Sequence, residues 1–291
     1  KTEDADGLNT AIGARALKLL NAGADAHNVA VGYVAGQNVT TGIRNTLIGA
    51  LAGDALTDAD QNTAVGQGAL STNTAVGYAA LTALNGGTQN VAVGQSAGAA
   101  MTTGGQNTVI GTNAGDALTD ADFNVAMGYL ALSADTLGSR SVAIGTSALR
   151  NQNLTTATNT FNTAVGHDAG QAVTTGLSNT LIGSLAGDAL TISSHNVAVG
   201  YNALSADTKG ELNIAIGSGA LAAQNFTSTT YPANVAVGHL AGTAVTTGIE
   251  NTLIGGLAGD ALTDADYNVA VGKEALSADT LGSRSVAIGT F

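Results

Sequence analysis

At 291 residues, with 40 Gly, 1 Pro, no Trp and 3% aromatics, the chain lacks the bulky side chains that fill a conventional globular core. Its 21 acidic against 9 basic residues give a formal charge of −12, which excludes nucleic acid as a partner because phosphate binding needs a basic surface. Zero Cys excludes disulfides and thiolate metal sites, no apolar run reaches the roughly 18 residues of a transmembrane helix, and the opening "KTEDADGLNT" is no signal peptide.

One pentapeptide organises everything else. Asn or Ser, then Val, Thr or Ile, then Ala, Leu or Val, then Val, Ile or Met, then Gly, begins at Asn9, Asn28, Asn45, Asn62, Asn73, Asn90, Asn107, Asn124, Ser141, Asn162, Asn179, Asn196, Asn213, Asn234, Asn251, Asn268 and Ser285. The step from Asn28 to Asn45 is the usual one, and it changes at only four places: it lengthens slightly after Asn9, shortens after Asn62 and lengthens again after Ser141 and Asn213. Length changes of this kind fall in the turns of stacked coils. A slower rhythm of four coils relates "NTVIGTNAGDAL" at 107, "NTLIGSLAGDAL" at 179 and "NTLIGGLAGDAL" at 251. An unbroken repeat makes residues 1–291 one elongated domain rather than two globular ones, and the abrupt stop at "SVAIGTF" reads as a fragment of a longer fibrous protein.

Each pentapeptide, rich in Val, Ile and Thr and closed by Gly, predicts a short strand followed by a turn. Successive coils return to the same place and lay their strands side by side about 4.8 Å apart, so sixteen steps predict a rod of roughly 77 Å. The fold class is therefore an all-β, parallel β-solenoid of about 17-residue coils. The first-position Asn predicts a ladder of stacked amides, with ordinary turn chemistry as the alternative. Alternation predicts the second and fourth positions inside the coil and the third outside. The third position is Ala in thirteen copies, Leu at 47, 181 and 253, and Val at 109. An outward stripe of that kind needs a cover. Three chains in a homotrimer, with Ala75, Ala92, Ala126, Ala143, Ala198 and Ala270 packed about a shared axis, would supply it.

After the strand the coils divide. Ala stands three residues beyond the Gly, followed by Leu ("YNALSADTKGEL") or by Gly ("HDAGQAVTTGLS"). In the second type an apolar residue three positions on, such as Val173, Leu190, Val245 or Leu262, predicts a return to the interior.

The chemistry-bearing residues read as parts of the repeat. Gly94-Gln-Ser96-Ala-Gly98 spells a nucleophile elbow, but sister coils carry Val34, Leu51, Asn113, Asp168, Leu185 and Leu240 at the place of Ser96. The chain is thus expected to have no catalytic residues. "GDALTDAD" gathers Asp54, Asp58 and Asp60, then Asp116, Asp120 and Asp122, then Asp260, Asp264 and Asp266, a carboxylate cluster that could attract Ca²⁺. The third copy, "GDALTISSH", keeps only Asp188, so a solvated acidic turn is expected, with no metal and no cofactor. The histidines 27, 167, 195 and 239 are scattered, and Tyr33, Tyr78, Tyr129 and Tyr201 follow the strand Gly in an exposed column. The two long coils, "RNQNLTTATNTF" and "QNFTSTTYPA", are loops on a rigid scaffold, where binding usually resides. There Phe226 and Tyr231 are candidates for stacking on a host cell-surface glycan or protein receptor.

"RSVAIGTSAL" at 140 and "NVAVGYNAL" at 196 resemble the head repeats of trimeric autotransporter adhesins, and "NTAVGYAAL" is similar to repeats of bacteriophage tail fibres. The resemblance covers Asn9 to the C-terminus. It implies a left-handed parallel β-roll, three chains intertwined or packed in parallel, and an extracellular role as a virion tail fibre or a bacterial surface adhesin; the absence of a long apolar run separately predicts no membrane insertion. The coil is longer than the adhesin heads' and no neck, stalk or anchor is visible, which favours the phage fibre. A polysaccharide-cleaving tailspike is the third reading, but no unique acidic pair stands out.

Overall fold

The computed structural model describes residues 8–22, 25–54, 56–58, 60, 62–69 and 73–290. The fold is an all-β parallel solenoid of about 16 turns with coils of about 17 residues, and no helix occurs among the described residues. The chain divides into two compact units, Lys1–Ser139 with Thr155–Ala157, and Arg140–Leu154 with Thr158–Phe291.

In the first unit β1 (Thr10–Ile12), β2 (Val29–Val31), β3 (Thr46–Ile48), β4 (Thr63–Val65), β5 (Thr74–Val76), β6 (Val91–Val93), β7 (Thr108–Ile110) and β8 (Val125–Met127) pair in parallel, each with the next. A short strand, β9 (Gly138–Ser139), follows. In the second unit β10 (Val142–Ile144), β12 (Thr163–Val165), β13 (Thr180–Ile182), β14 (Val197–Val199), β15 (Ile214–Ile216), β16 (Val235–Val237), β17 (Thr252–Ile254), β18 (Val269–Val271) and β19 (Val286–Ile288) do the same, and β11 (Thr158–Asn159) lies in a long coil. Every three-residue strand is the centre of one pentapeptide. Register never slips: the central residues of neighbouring strands are always partners, as in Ala164↔Leu181 and Ala198↔Ala215.

The faces are the reverse of those the alternation suggested. The third-position side chains Ala75, Ala92, Ala126, Ala143, Ala198 and Ala270 are each 0% exposed within the single chain, as are Leu47, Val109, Leu181 and Leu253. They point into their own coil, so they cannot line a shared axis. Second- and fourth-position side chains are half-buried or exposed, with Ile182 at 39% and Ile216 at 37%. The reason lies in the size of the coil. So short a turn, with an Asn column on one side and an Ala corner opposite, leaves a thin interior, which a small third-position side chain fills. Two β-branched side chains per strand would overfill it.

The two coil types are two ways of filling that interior. The residue after the corner Ala has a left-handed backbone in both, φ 54° at Leu204 and 55° at Gly187. Where it is Leu, the side chain is buried, as at Leu149, Leu204 and Leu221. The burial, about 1.5–3 kcal/mol, offsets the roughly 1–2 kcal/mol that a left-handed conformation costs a residue with a Cβ. Where it is Gly, the space goes to neighbours: a Cβ on Gly187 would stand 2.8 Å from both Leu181 Cδ2 and Leu190 Cδ1. The apolar residue three positions on then enters the core, and Val173, Leu190, Val245 and Leu262 are all 0% exposed.

Outside the strands the backbone also bonds from coil to coil. Leu204 N–H donates to Ala220 O at 3.0 Å at the corner, and Thr191 N–H donates to Thr208 O at 3.0 Å on the far side. Buried peptide groups therefore find partners without helices or antiparallel ladders.

Candidate functional site

The most ordered chemistry is the buried Asn column. In the second unit the N–H groups of Asn179, Asn196, Asn213, Asn251 and Asn268 donate to Oδ1 of the preceding Asn at 2.9–3.0 Å, and Asn234 does so at 3.2 Å. The side-chain amides also touch one another, as from Asn213 Nδ2 to Asn196 Oδ1 at 3.1 Å. Nδ2 frequently closes its own coil as well: Asn196 Nδ2 donates to Gly210 O at 2.9 Å. The first unit repeats the arrangement, with Asn124 N–H donating to Asn107 Oδ1 at 2.9 Å. The ladder expectation holds, and each amide both shuts one turn and ties the next. Ser141 stands in the same column, where Gln152 Nε2 donates to its Oγ at 2.8 Å and Thr160 Oγ1 pairs with it.

A second polar feature went unread in the sequence. Asp207 is 0% exposed. Its Oδ1 accepts from Gly210 N–H at 3.0 Å and Phe226 N–H at 3.1 Å, and its Oδ2 accepts from Gln224 Nε2 at 2.7 Å. Gln224 Oε1 in turn accepts from Asn234 Nδ2 at 2.9 Å. This network anchors the long coil between Asn213 and Asn234 to the coil before it. Asp135 and Asp279 also accept from the Gly three residues on, at 3.0 and 2.8 Å. The signal was present as "LSADT" at 132, 204 and 276.

The acidic turns have a structural task. Asp60, Asp122 and Asp266 each accept, through Oδ1, a backbone N–H of the preceding coil, from Ile43, Gly105 and Ile249 at 2.8, 2.7 and 2.9 Å. In the copy without these carboxylates Ser194 Oγ accepts the equivalent N–H of Leu177 at 3.0 Å. A hydroxyl serves there as well as a carboxylate, which explains how "TISSH" replaces "TDAD". Among the described residues no group of three His, Cys, Asp or Glu is gathered that could hold a metal.

Asp116, Asp188 and Asp260, which hold the same place in successive four-coil units, each have a buried Oδ1 with no hydrogen-bond partner. Burial raises the pKa of Asp116 and Asp188 above the usual aspartate value, opposed by a backbone hydrogen bond, and the nearby Asp168 carboxylate raises Asp188 further. The folded state thus holds the proton more tightly than the unfolded chain, so these two groups lower stability at neutral pH and stop doing so as pH falls through the raised pKa toward about 4. Asp188→Asn is expected to melt higher than the parent at pH 7, with the advantage shrinking on acidification. Calorimetry at pH 7 and pH 4 checks it, and a variant that melts lower at pH 7 would refute the assignment.

The sequence-nominated surface residues divide. Tyr231 is 63% exposed on its long coil, but Phe226 is 8% exposed. Phe226 is bound at both backbone atoms, its N–H to Asp207 and its C=O to Thr208 Oγ1 at 2.8 Å. It packs as core and cannot stack on a sugar. Tyr33, Tyr78, Tyr129 and Tyr201 are 54–61% exposed. Ser96, at φ 56°, shares its left-handed corner with Val34 (65°), Leu51 (61°) and Leu185 (59°), so its Gly-x-Ser-x-Gly spelling marks a corner. Beside the shortest coil, between Asn62 and Asn73, an open depression of about 160 Å³ is lined by Leu51, Gln67, Gly68, Tyr78, Ala79 and Thr82.

What remains is the outward strand face. No charged residue occupies its second or fourth position in any pentapeptide, and Ile48, Met127, Ile182, Ile214, Ile216 and Ile254 are 36–40% exposed. In the second unit this face continues across nine paired strands. No described helix is long and apolar enough to cross a membrane. No protein-family model, curated protein or solved structure matches the chain. The fold and its surfaces define the class, a repetitive parallel β-solenoid with one apolar, charge-free face.

Proposed function

We propose that the chain is a non-enzymatic structural segment of an extracellular fibre, a left-handed β-solenoid assembled as a homotrimer that spaces or presents a host-receptor-binding region. The outward apolar face carries this reading. Nine strands offer two partly exposed side chains each, eighteen in all, along one unit. Completing the burial of each contributes about 0.5–1 kcal/mol, roughly a third of the value for a whole aliphatic side chain. Even half of them rival the roughly 4–15 kcal/mol that association costs. A second and third copy fit because their faces are equally free of charge and cyclic symmetry hides the same stripe on every chain. The axis is thus lined by second- and fourth-position Val, Ile and Thr. Tyr231 is the remaining candidate contact for a glycan or protein receptor.

A phage tail fibre is the first setting and the head of a bacterial trimeric adhesin the second. A virion-attachment segment or a membrane anchor in the full gene separates the two. The assembly is tested with Ile216→Lys, which places a cation on the outward face while leaving the interior untouched. The parent is expected to sediment as three chains, and the variant as fewer with unchanged circular dichroism. A monomeric parent, or a variant of the parent's mass, overturns the trimer.

A further inference from the structure

We propose that Asn225 is an acceptor for N-linked glycosylation. Nearly every Asn that begins a pentapeptide is buried, with its amide committed to the ladder. Asn225 is different: it is exposed, in the long coil from Asn213 to Asn234, where it takes the place that Thr208 holds one coil earlier, just before the extra residues of that coil. Its N–H donates to Thr246 O at 3.0 Å and its Oδ1 accepts from Thr208 Oγ1 at 3.0 Å. Those bonds fix the carboxamide from its oxygen side, and its Nδ2 donates no hydrogen bond. The residues that follow complete Asn225-Phe226-Thr227, the Asn-x-Thr triplet that Asn-glycosyltransferases require.

The geometry suits the triplet to that chemistry. The central Phe226 is buried and pinned to Asp207 and Thr208, while Asn225 and Thr227 on either side are exposed. A transferase can therefore reach the acceptor amide and the recognised hydroxyl together on a rigid base. A sugar attached there grows from the far side of the coil, in the column of Thr191 and Thr208, and not from the strand face. The spelling also occurs one four-coil unit earlier as Asn153-Leu154-Thr155, again in a long coil. A third triplet, Asn38-Val39-Thr40, supplies an internal control. Asn38 Nδ2 donates to Asp54 O at 2.7 Å and Thr40 Oγ1 donates to Thr57 O at 3.1 Å, so both reactive groups are held within the coil wall.

The transfer forms a bond between Asn225 Nδ2 and the anomeric carbon of a phosphate-activated sugar. The bond from that carbon to the donor's phosphate oxygen breaks, and its electron pair leaves with the phosphate. Nδ2 gives up one proton to a base of the transferase. Nucleotide-linked and lipid-linked sugars share this chemistry.

Peptide mapping by mass spectrometry of the protein isolated from its own cells or particles is the test, with and without peptide-N-glycosidase. Carbohydrate, read as mass added to the Asn225 peptide, is expected on Asn225 and none on Asn38, and conversion of Asn225 to Asp by the glycosidase is expected only for an oligosaccharide begun by N-acetylglucosamine. A single hexose or short hexose chain indicates a nucleotide-sugar donor, and a fixed oligosaccharide block a lipid-linked one. Thr227→Ser should retain the modification and Thr227→Ala abolish it, both with unchanged circular dichroism. A bare Asn225, equal occupancy of Asn38, or retention in Thr227→Ala overturns the proposal, and none of these outcomes bears on the trimer.

Discussion

Gly200→Ala is expected to lose about 4 kcal/mol of stability and to melt roughly 10 °C below the parent, by the size scaling of melting temperatures. Gly200 closes β14 at φ +136°, a conformation that residues with a Cβ rarely adopt. An added Cβ would stand 2.6 Å from both C and O of Gly217 and 2.9 Å from Ser218 N, all backbone atoms of the next coil. A flexible side chain could swing aside, but a peptide in a register-locked ladder cannot. The neighbouring coil must retreat, straining the bond from Gly217 N–H to Val199 O at 2.7 Å and that from Val197 N–H to Asn213 O at 2.8 Å. Backbone strain of about 1–3 kcal/mol and overpacking of a similar size add. Gly256→Ala is the control: it follows the strand Gly of β17, has no unusual φ, and its Cβ would meet only His239 O at an ordinary 3.9 Å. It should be neutral or slightly stabilising, because Ala narrows the unfolded ensemble. Thermal melts by circular dichroism compare the two, and a Gly200→Ala curve that overlays Gly256→Ala would refute the close-approach argument.

The same glycine shows what a sequence discloses and what it hides. Its recurrence marked each strand end, and because so short a period admits little besides stacked coils, parallel pairing followed from spacing, while the Asn ladder was one of two readings of the first position and rested on the chemistry of the amide. The direction in which the strand faces did not. Alternation tells that Val197 and Val199 share one face and Ala198 the other, but not which faces the coil interior. Hydrophobicity favoured the valines, whereas the volume of a thin coil selects the alanine, and volume is a property of the closed turn rather than of any pentapeptide. Phe226 failed for a related reason. An aromatic in a long polar loop reads as a surface residue until the buried carboxylate of Asp207, one coil earlier and distant in sequence, is seen to hold its backbone inward. The aspartates of the acidic turns gave no sign in the sequence of what they bond, because their partners, single N–H groups one coil earlier, belong to tertiary structure.

Asn196→Ala is expected to be as damaging as the glycine change, by a different route. Removing the carboxamide orphans three groups: Asn213 N–H, Asn213 Nδ2 and Gly210 C=O, which now contact it at 3.0, 3.1 and 2.9 Å. Asn196 and Asn213 are both fully buried. Water does not readily replace the lost partners, and each unsatisfied group costs about 1–3 kcal/mol, for a total of about 4 kcal/mol or more, at the upper end of single substitutions. Asn196→Ser should recover little. Ser141 is accommodated in its column because Gln152, at the corresponding place in that coil, and Thr160 turn toward its hydroxyl. In the coil of Asn196 the corresponding residue is Asp207, already committed to Gly210, Gln224 and Phe226. Because each coil bonds chiefly to its neighbours, the loss should be felt first as local opening. Hydrogen exchange is the sharper measurement: the amides of Val197, Asn213 and Ile214 should exchange many-fold faster in Asn196→Ala, while those around Asn107 keep the parent's protection. Uniform acceleration along the chain would mean a single cooperative unit, and unchanged protection at Asn213 would mean that the ladder does not hold the coils together.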